Sequence, residues 1–231
     1  MRAIVNAAIG NRRKDISNLG GHPYCLSLPR FRHAFSRFSP NTEIISFSDL
    51  PTGCPPHSEV PYAFKPYGIQ QVVKSGFKKI IWADCSIYPV SSLEPAWEIL
   101  EKQGYLWLNN GHNCGVWTCD SALWSLGITR TEAFHIPQTA TGFFGLNFEH
   151  ACVRQFMDAW LRLAKTKAFF GPHNNDDLQA SADPRVRGHR HEQTAASVLS
   201  YFLGFNLQWH MNWITYGGEG KTILALNYIP M

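Results

Sequence analysis

Charge is scarce in this chain. Only 16% of its 231 residues are Asp, Glu, Lys or Arg, and the 21 basic against 17 acidic side chains leave a net charge of +4. That excess is too small to demand a nucleic acid or a membrane surface as partner. No apolar run approaches the roughly 18 to 20 residues needed to span a bilayer. The first apolar stretch is short and runs into NRRKD, so no cleavable secretory leader is expected. The six cysteines, at 25, 54, 85, 114, 119 and 152, contain no CxxC pair, so no zinc-binding pattern is present. Together these absences point to reduced thiols in a cytoplasmic protein. Internal repeats, low-complexity tracts and a linker between domains are also missing.

What is present is a chain that is 45% hydrophobic and 13% aromatic, long enough to bury a sizeable core as one domain spanning 1–231. RAIVNAAIG reads as a first strand. Pro29 can open a helix in which Phe31, Ala34, Phe35 and Phe38 share one face. TEIISFSD is a second strand, and the proline-rich PTGCPPHSEVP is loop. KPYGIQQVVKSG reads as a helix ending at Gly76. The run Ile80–Ala83 follows as a buried strand. SSLEPAWEILEKQG is a further helix and YLWLN a further strand, whereas 110–140 shows no clear period. TGFFGLNF is strand-like, and EHACVRQFMDAWLRLAK places Val153, Phe156, Met157, Trp160 and Ala164 on one helical face. The polar stretch 171–190 reads as loop. HEQTAASVLSYFLG reads as a last helix with Ala195, Val198, Leu199 and Phe202 inward. Strands alternating with helices predict an α/β sheet covered by helices.

The strand Ile80–Ala83 is followed by an acid, Asp84. Ligands of open α/β sheets bind outside the carboxyl ends of the strands, and an unpaired buried carboxylate costs several kcal/mol. Asp84 is therefore expected at a solvent-facing rim, holding a divalent cation, a sugar hydroxyl or the backbone of its own turn. A second cluster, Arg185, Arg187, His189, Arg190 and His191, crowds the loop before the last helix. It suits an anion such as a diphosphate, or a solvated surface, or a metal held by His189 and His191. Glu192 in the first turn of that helix is favoured by the helix dipole whether or not it has a chemical role.

YAFKPYGIQQVVKSGFKKIIWADCSI resembles the segment of GT-A-type nucleotide-sugar glycosyltransferases that carries their Asp-x-Asp motif. There, a helix with a basic residue near its start precedes an apolar strand ending in that motif. TGFFGLNFEHACVRQFMDAW is similar to the family's strand opening on a small residue and glycine, and HEQTAASVLSYFLG to its Asp-Gln helix, with Glu192 and Gln193 in those places. The order fits glycogenin-like enzymes and related capsule or glycan transferases over roughly residues 1 to 204. The resemblance implies a GT-A mixed sheet flanked by helices, a nucleotide-sugar donor, a glycan or other hydroxyl acceptor, and retention of configuration. It implies catalytic roles for Glu192 and Asp84, with Mn²⁺ or Mg²⁺ at Asp84. It further implies that the donor is met by Lys65, Ser86, Thr141, Gly142, Gln193 and Lys221, to which the loop cluster adds Arg185, Arg187, Arg190 and His191.

One departure stands out. The motif reads Asp84-Cys85-Ser86, so a hydroxyl replaces the second carboxylate. Where the glycogenin-like group has a histidine before Gly-x-x-Lys, this chain has Thr215 ahead of Gly218 and Lys221. Two alternatives therefore stay open, a non-catalytic nucleotide-sugar or glycan-binding module and a metal-dependent hydrolase using Asp84 with His189 and His191. GGEGKT is not a phosphate-binding loop, because position 215 is threonine and only nine residues follow Thr222; a hairpin or turn is expected there. Cys85 beside Asp84 is a poor nucleophile. HNNDD, residues 173–177, reads as solvated surface.

Overall fold

The computed structural model describes residues 1–9, 24–216 and 222–226. Its main sheet has six strands in the order β2-β1-β3-β6-β5-β7, formed by β1 Arg2–Ala7, β2 Glu43–Phe47, β3 Lys79–Ala83, β5 Tyr105–Asn113, β6 Pro137–Asn147 and β7 Gln208–Trp209. β1 pairs in parallel with β2 and β3, while β6 runs antiparallel to both β3 and β5, so β6 alone opposes the others. That reversal sets the middle of β6 beside the carboxyl end of β3, with Ala83 opposite Phe143.

The apolar runs of β1 and β3 follow from burial on both faces of the sheet. Ala3, Val5, Ile80 and Trp82 face α2 (Phe64–Lys74), α6 (Ala151–Leu163) and α7 (His191–Phe202). Ile4, Ile81 and Ala83 face α1 (Leu28–Phe38) and α3 (Glu94–Gln103). On α1 the buried side chains are Phe31, Ala34 and Phe35, with proline in its first turn. On α6 they are Val153, Phe156, Met157 and Trp160, the face the spacing predicts. α3 stops at Gly104 with φ +91, where a Cβ would meet His150 Cγ at 2.6 Å.

The first of these layers is aromatic. Trp107 stacks on Phe144 with centroids 4.3 Å apart, and Trp160 meets Phe144 edge-on at 5.8 Å. Such pairs contribute about 0.5–1.5 kcal/mol each beyond the area they bury. Trp82 belongs to the same layer, and its indole N–H leads directly to Asp84.

Three features differ from the sequence reading. The stretch 110–140 holds the end of β5, the helices α4 (Asp120–Leu126) and α5 (Arg130–His135), and the first residues of β6. α5 is closed by a capping box between Thr129 and Glu132; both helices are too short to show a helical period. α7 buries Ala195 and Val198 as expected, but Phe202 at its last position is 63% exposed. The helix is buried nearly all round by small and polar residues, including Thr194, Ser197 and Ser200, so Phe202 projects past its packed portion. Finally, β8 (Ile214–Tyr216) and β9 (Leu224–Leu226) pair in parallel, and β9 also pairs with β4 (Ile87–Pro89). A hairpin would make β8 and β9 antiparallel, so of the two expectations, hairpin or turn, the hairpin is corrected. Lys221 and the GGEGK stretch lie outside the described residues.

Candidate functional site

β3 ends at Ala83, and Asp84 follows it at the carboxyl edge of the parallel strands, its backbone N–H donating to Gly142 O at 2.7 Å. The carboxylate does not cap its own turn. Its Oδ1 accepts from Trp82 Nε1 at 2.8 Å and lies 3.4 Å from Lys65 Nζ. The Asp84 side chain is 39% exposed, whereas that of Lys65 is only 4% exposed.

Lys65 stands in the first turn of α2, and its aliphatic stem reaches inward beside the aromatic layer. Its ammonium donates to Thr141 O at 2.9 Å and pairs with Glu192 Oε1 at 3.1 Å as well as with Asp84. These three partners match the three donors of an ammonium. Burial pulls the Lys65 pKa down, but the charges of Asp84 and Glu192 outweigh it and hold the pKa above the ordinary lysine value. The ammonium is permanently charged at neutral pH.

Glu192 sits in the first turn of α7, buried, and accepts from Thr141 Oγ1 at 2.9 Å. Burial raises its pKa, with Lys65 and Thr141 opposing that shift and Asp84 adding to it. α7 is pinned against the sheet by Thr139 N to Ser197 Oγ at 2.9 Å and against α6 by Trp160 Nε1 to Glu192 O at 3.1 Å. The carboxylate position is thus set by packing far from the rim.

These groups open onto a cleft with a free volume of about 210 Å³, lined by Lys65, Asp84, Thr141, Gly142, Arg190, His191, Glu192 and Gln193 together with Tyr62 and His173. The volume is below the ~300 Å³ usual for a whole small-molecule site. It suits the junction of a larger ligand. A Cβ on Gly142 would come 3.4 Å from Asp84 Oδ2, so glycine keeps the floor open beside the carboxylate.

The arginine loop divides. Arg190 lines the cleft, its guanidinium 3.6 Å from the Trp117 ring centroid and its Nη1 donating to His173 O at 2.8 Å. His191 lines it too, its Nδ1 3.1 Å from Phe169 O. Arg185 turns away, paired with Asp183 at 2.6 Å and lying over Phe134, and Arg187 is exposed outside the lining. Ser86 is buried and does not line the cleft. His189 is fully buried, with Nε2 3.1 Å from Ala168 O.

Two lining residues escaped the sequence reading. Tyr62 directly follows the proline-rich loop, and His173 belongs to the HNNDD stretch. Tyr62 and His191 both have left-handed backbones, φ +60 and +47, and their rings face each other at 5.5 Å. Non-glycine residues held there cost on the order of 1–3 kcal/mol each and cluster at functional sites. No local sequence signal marks a tyrosine for that conformation.

The resemblance implies a divalent cation at Asp84, and the donor set does not fit one. Hard cations need several charged oxygens. Among the described residues no three His, Cys, Asp or Glu side chains group to hold a metal ion. Asp84 and Glu192 already share the Lys65 ammonium. That fixed ammonium cancels one of the two carboxylate charges and so weakens the pull on a divalent ion. Ser86, in the place of the second carboxylate, adds no charge.

No family model matches the chain, and no curated protein sequence matches it. Solved structures do. A galactosyltransferase, LgtC, solved with donor and acceptor sugar analogues, is 12% identical with TM-score 0.50, over 99% of this chain and 87% of that one. A glycosyltransferase involved in glycosylation of the major capsid of PBCV-1 is 10% identical with TM-score 0.50, over 98% and 92%. The bifunctional glycosyltransferase WbbM is 9% identical with TM-score 0.53, over 97% of this chain and 45% of that one. With its mixed sheet, its single reversed strand and these neighbours, the chain has the fold of GT-A-type glycosyltransferases.

Proposed function

We propose that the chain is a glycosyltransferase that moves a sugar from a nucleoside-diphosphate donor to a hydroxyl acceptor. The observation that carries this reading is the Asp84–Lys65–Glu192 arrangement at the carboxyl edge of the sheet, opening onto a cleft faced by Arg190. In the reaction, the bond between the anomeric carbon and the diphosphate oxygen breaks and its electron pair leaves with the diphosphate. A new bond forms from the anomeric carbon to the acceptor oxygen. The acceptor proton passes to the departing diphosphate, since Glu192 is committed to Lys65 and Thr141.

Charge on the leaving group is the main barrier, and fixed cations in a partly dry cleft lower it most. Arg190 meets the diphosphate. Glu192, held beside Thr141 and Gly142, stabilises positive charge developing on the sugar ring. Asp84 orients the donor through the oxygen facing Gly142. Thr141, Gly142, His191 and Gln193 shape the sugar end of the pocket.

A binding module without turnover is the second reading, favoured by the burial of Ser86 and the engagement of both carboxylates by Lys65. Donor hydrolysis and transfer measured over a panel of nucleoside-diphosphate sugars separates the two. The transferase reading expects turnover that drops by roughly 10²-fold or more in Glu192→Gln and Asp84→Ala. Donor binding with no turnover on any acceptor supports the module. Turnover indifferent to both substitutions sinks the assignment of the site.

A further inference from the structure

We infer that this cleft holds a nucleoside diphosphate without a divalent cation, the diphosphate being gripped by Arg190 with the Nε2–H of the His173 imidazole beside it. The inference rests on the proposed donor-binding role of the cleft. In a metal-dependent site, the ion neutralises the carboxylates and the diphosphate at once. Here a side chain already takes up part of the first of those tasks, one ammonium set against two carboxylates. Lys65 spends its three donors on Thr141 O at 2.9 Å, Glu192 at 3.1 Å and Asp84 at 3.4 Å, and it is buried. It lies between the two carboxylates.

The second task has its own preformed device. The Arg190 guanidinium lies 3.6 Å from the Trp117 ring centroid, and its Nη1 is fixed by His173 O at 2.8 Å and His189 O at 3.3 Å. A planar fork held in this way presents the bidentate geometry that phosphate oxygens accept. His173 and His191 stack in the same cleft, with centroids 6.0 Å apart and planes 17° from parallel. His191 is backed in turn by Tyr62. The loop can bring His173 this close to Arg190 because Gly188 passes under it. A Cβ there would stand 2.0 Å from His173 O.

The test is calorimetric titration of uridine, guanosine, cytidine and adenosine diphosphates and their sugar conjugates into the full chain, first with excess EDTA and then with Mn²⁺. The expected result is a nucleotide whose Kd agrees within about threefold between the two conditions. Arg190→Ala should weaken it by about tenfold or more in both. Arg190→Lys, which keeps the charge and loses the fork, should fall between and guards against a misfolded alanine variant. Mn²⁺ alone should give no protein-bound signal in electron paramagnetic resonance. Binding that needs Mn²⁺, or tightens by more than about tenfold with it, overturns the inference and leaves the donor-binding role intact. Unchanged affinity in both Arg190 variants also overturns it. If no nucleotide binds in either condition, the donor-binding role falls as well.

Discussion

Lys65 Nζ and Glu192 Oε1 lie 3.1 Å apart, and neither side chain is more than 4% exposed. Removing one member of a buried ion pair strands the other, at a cost of about 3–5 kcal/mol. Lys65→Met should therefore lose stability of that order in chemical denaturation, and the Lys65→Met, Glu192→Gln double variant should recover part of it. Added Mn²⁺ should raise the melting temperature of Lys65→Met and leave the wild type unmoved, because the vacated carboxylates become cation ligands. A single variant within about 1 kcal/mol of wild type refutes the pairing.

The floor of the cleft tolerates little. A Cβ on Gly142 would sit 3.2 Å from Ile87 Cδ1 and 3.4 Å from Asp84 Oδ2. Those contacts are tight but ask only small shifts, so Gly142→Ala should fold with a circular dichroism spectrum like the wild type. Donor affinity should fall by about tenfold, or roughly 1.4 kcal/mol. Wild-type affinity in this variant would place the donor elsewhere.

Gly188 is held more strictly. Gly188→Ala meets a carbonyl oxygen at 2.0 Å at φ +151, whereas Gly53→Ala at φ +73 meets nothing within 4 Å. The Gly53 variant should lose about 1–2 kcal/mol, the left-handed cost alone. The Gly188 variant should lose clearly more, together with nucleotide binding, because the clash displaces the oxygen that anchors Arg190 Nη1. Equal melting temperatures for the two variants would contradict this geometry.

Burial pushes the His191 pKa down to about 4, with His173, His57 and Arg190 adding to the shift against the hydrogen bond with Phe169 O. His189 falls to about 3, mainly by burial and then by His191. Both are bases whose folded pKa is depressed. Their contribution to stability is complete above about pH 6.5 and is lost as pH falls toward 4 and below. The denaturation midpoint should drop across that window, and His189→Gln should flatten the drop. A midpoint constant from pH 6.5 to 4 would refute the neutral, buried state of these imidazoles.

Much of the frame could be read from residue order. β1, β3, α1, α3 and α6 announce themselves because strand and helix periods need only local spacing, as Phe31, Ala34 and Phe35 show on α1. The short helices α4 and α5 could not be read, and neither could the parallel pairing of β8 with β9, which depends on where β4 lies. Within the cleft, Lys65, Asp84, Glu192 and Gln193 were visible through their places at element ends, whereas Thr141 and Gly142, in the middle of β6, were pointed to by the resemblance alone. Tyr62 and His173 were not visible, since both sit in loops whose path is set by distant packing.

By itself the chain's order of residues determined an acid after a buried strand, a lysine opening a helix, and a glutamate opening another. Spacing and end preferences are local properties, written in a few neighbouring side chains. Only the tertiary structure decided that these three charges meet, because the reversed strand β6 brings Thr141 beside Asp84 while α2 and α7 pack on the same aromatic layer. It also separated Arg190 from Arg185, two residues of one loop, by giving the first to Trp117 and the second to Asp183. Charges so far apart in sequence have no local means of choosing one another; the buried core chooses for them.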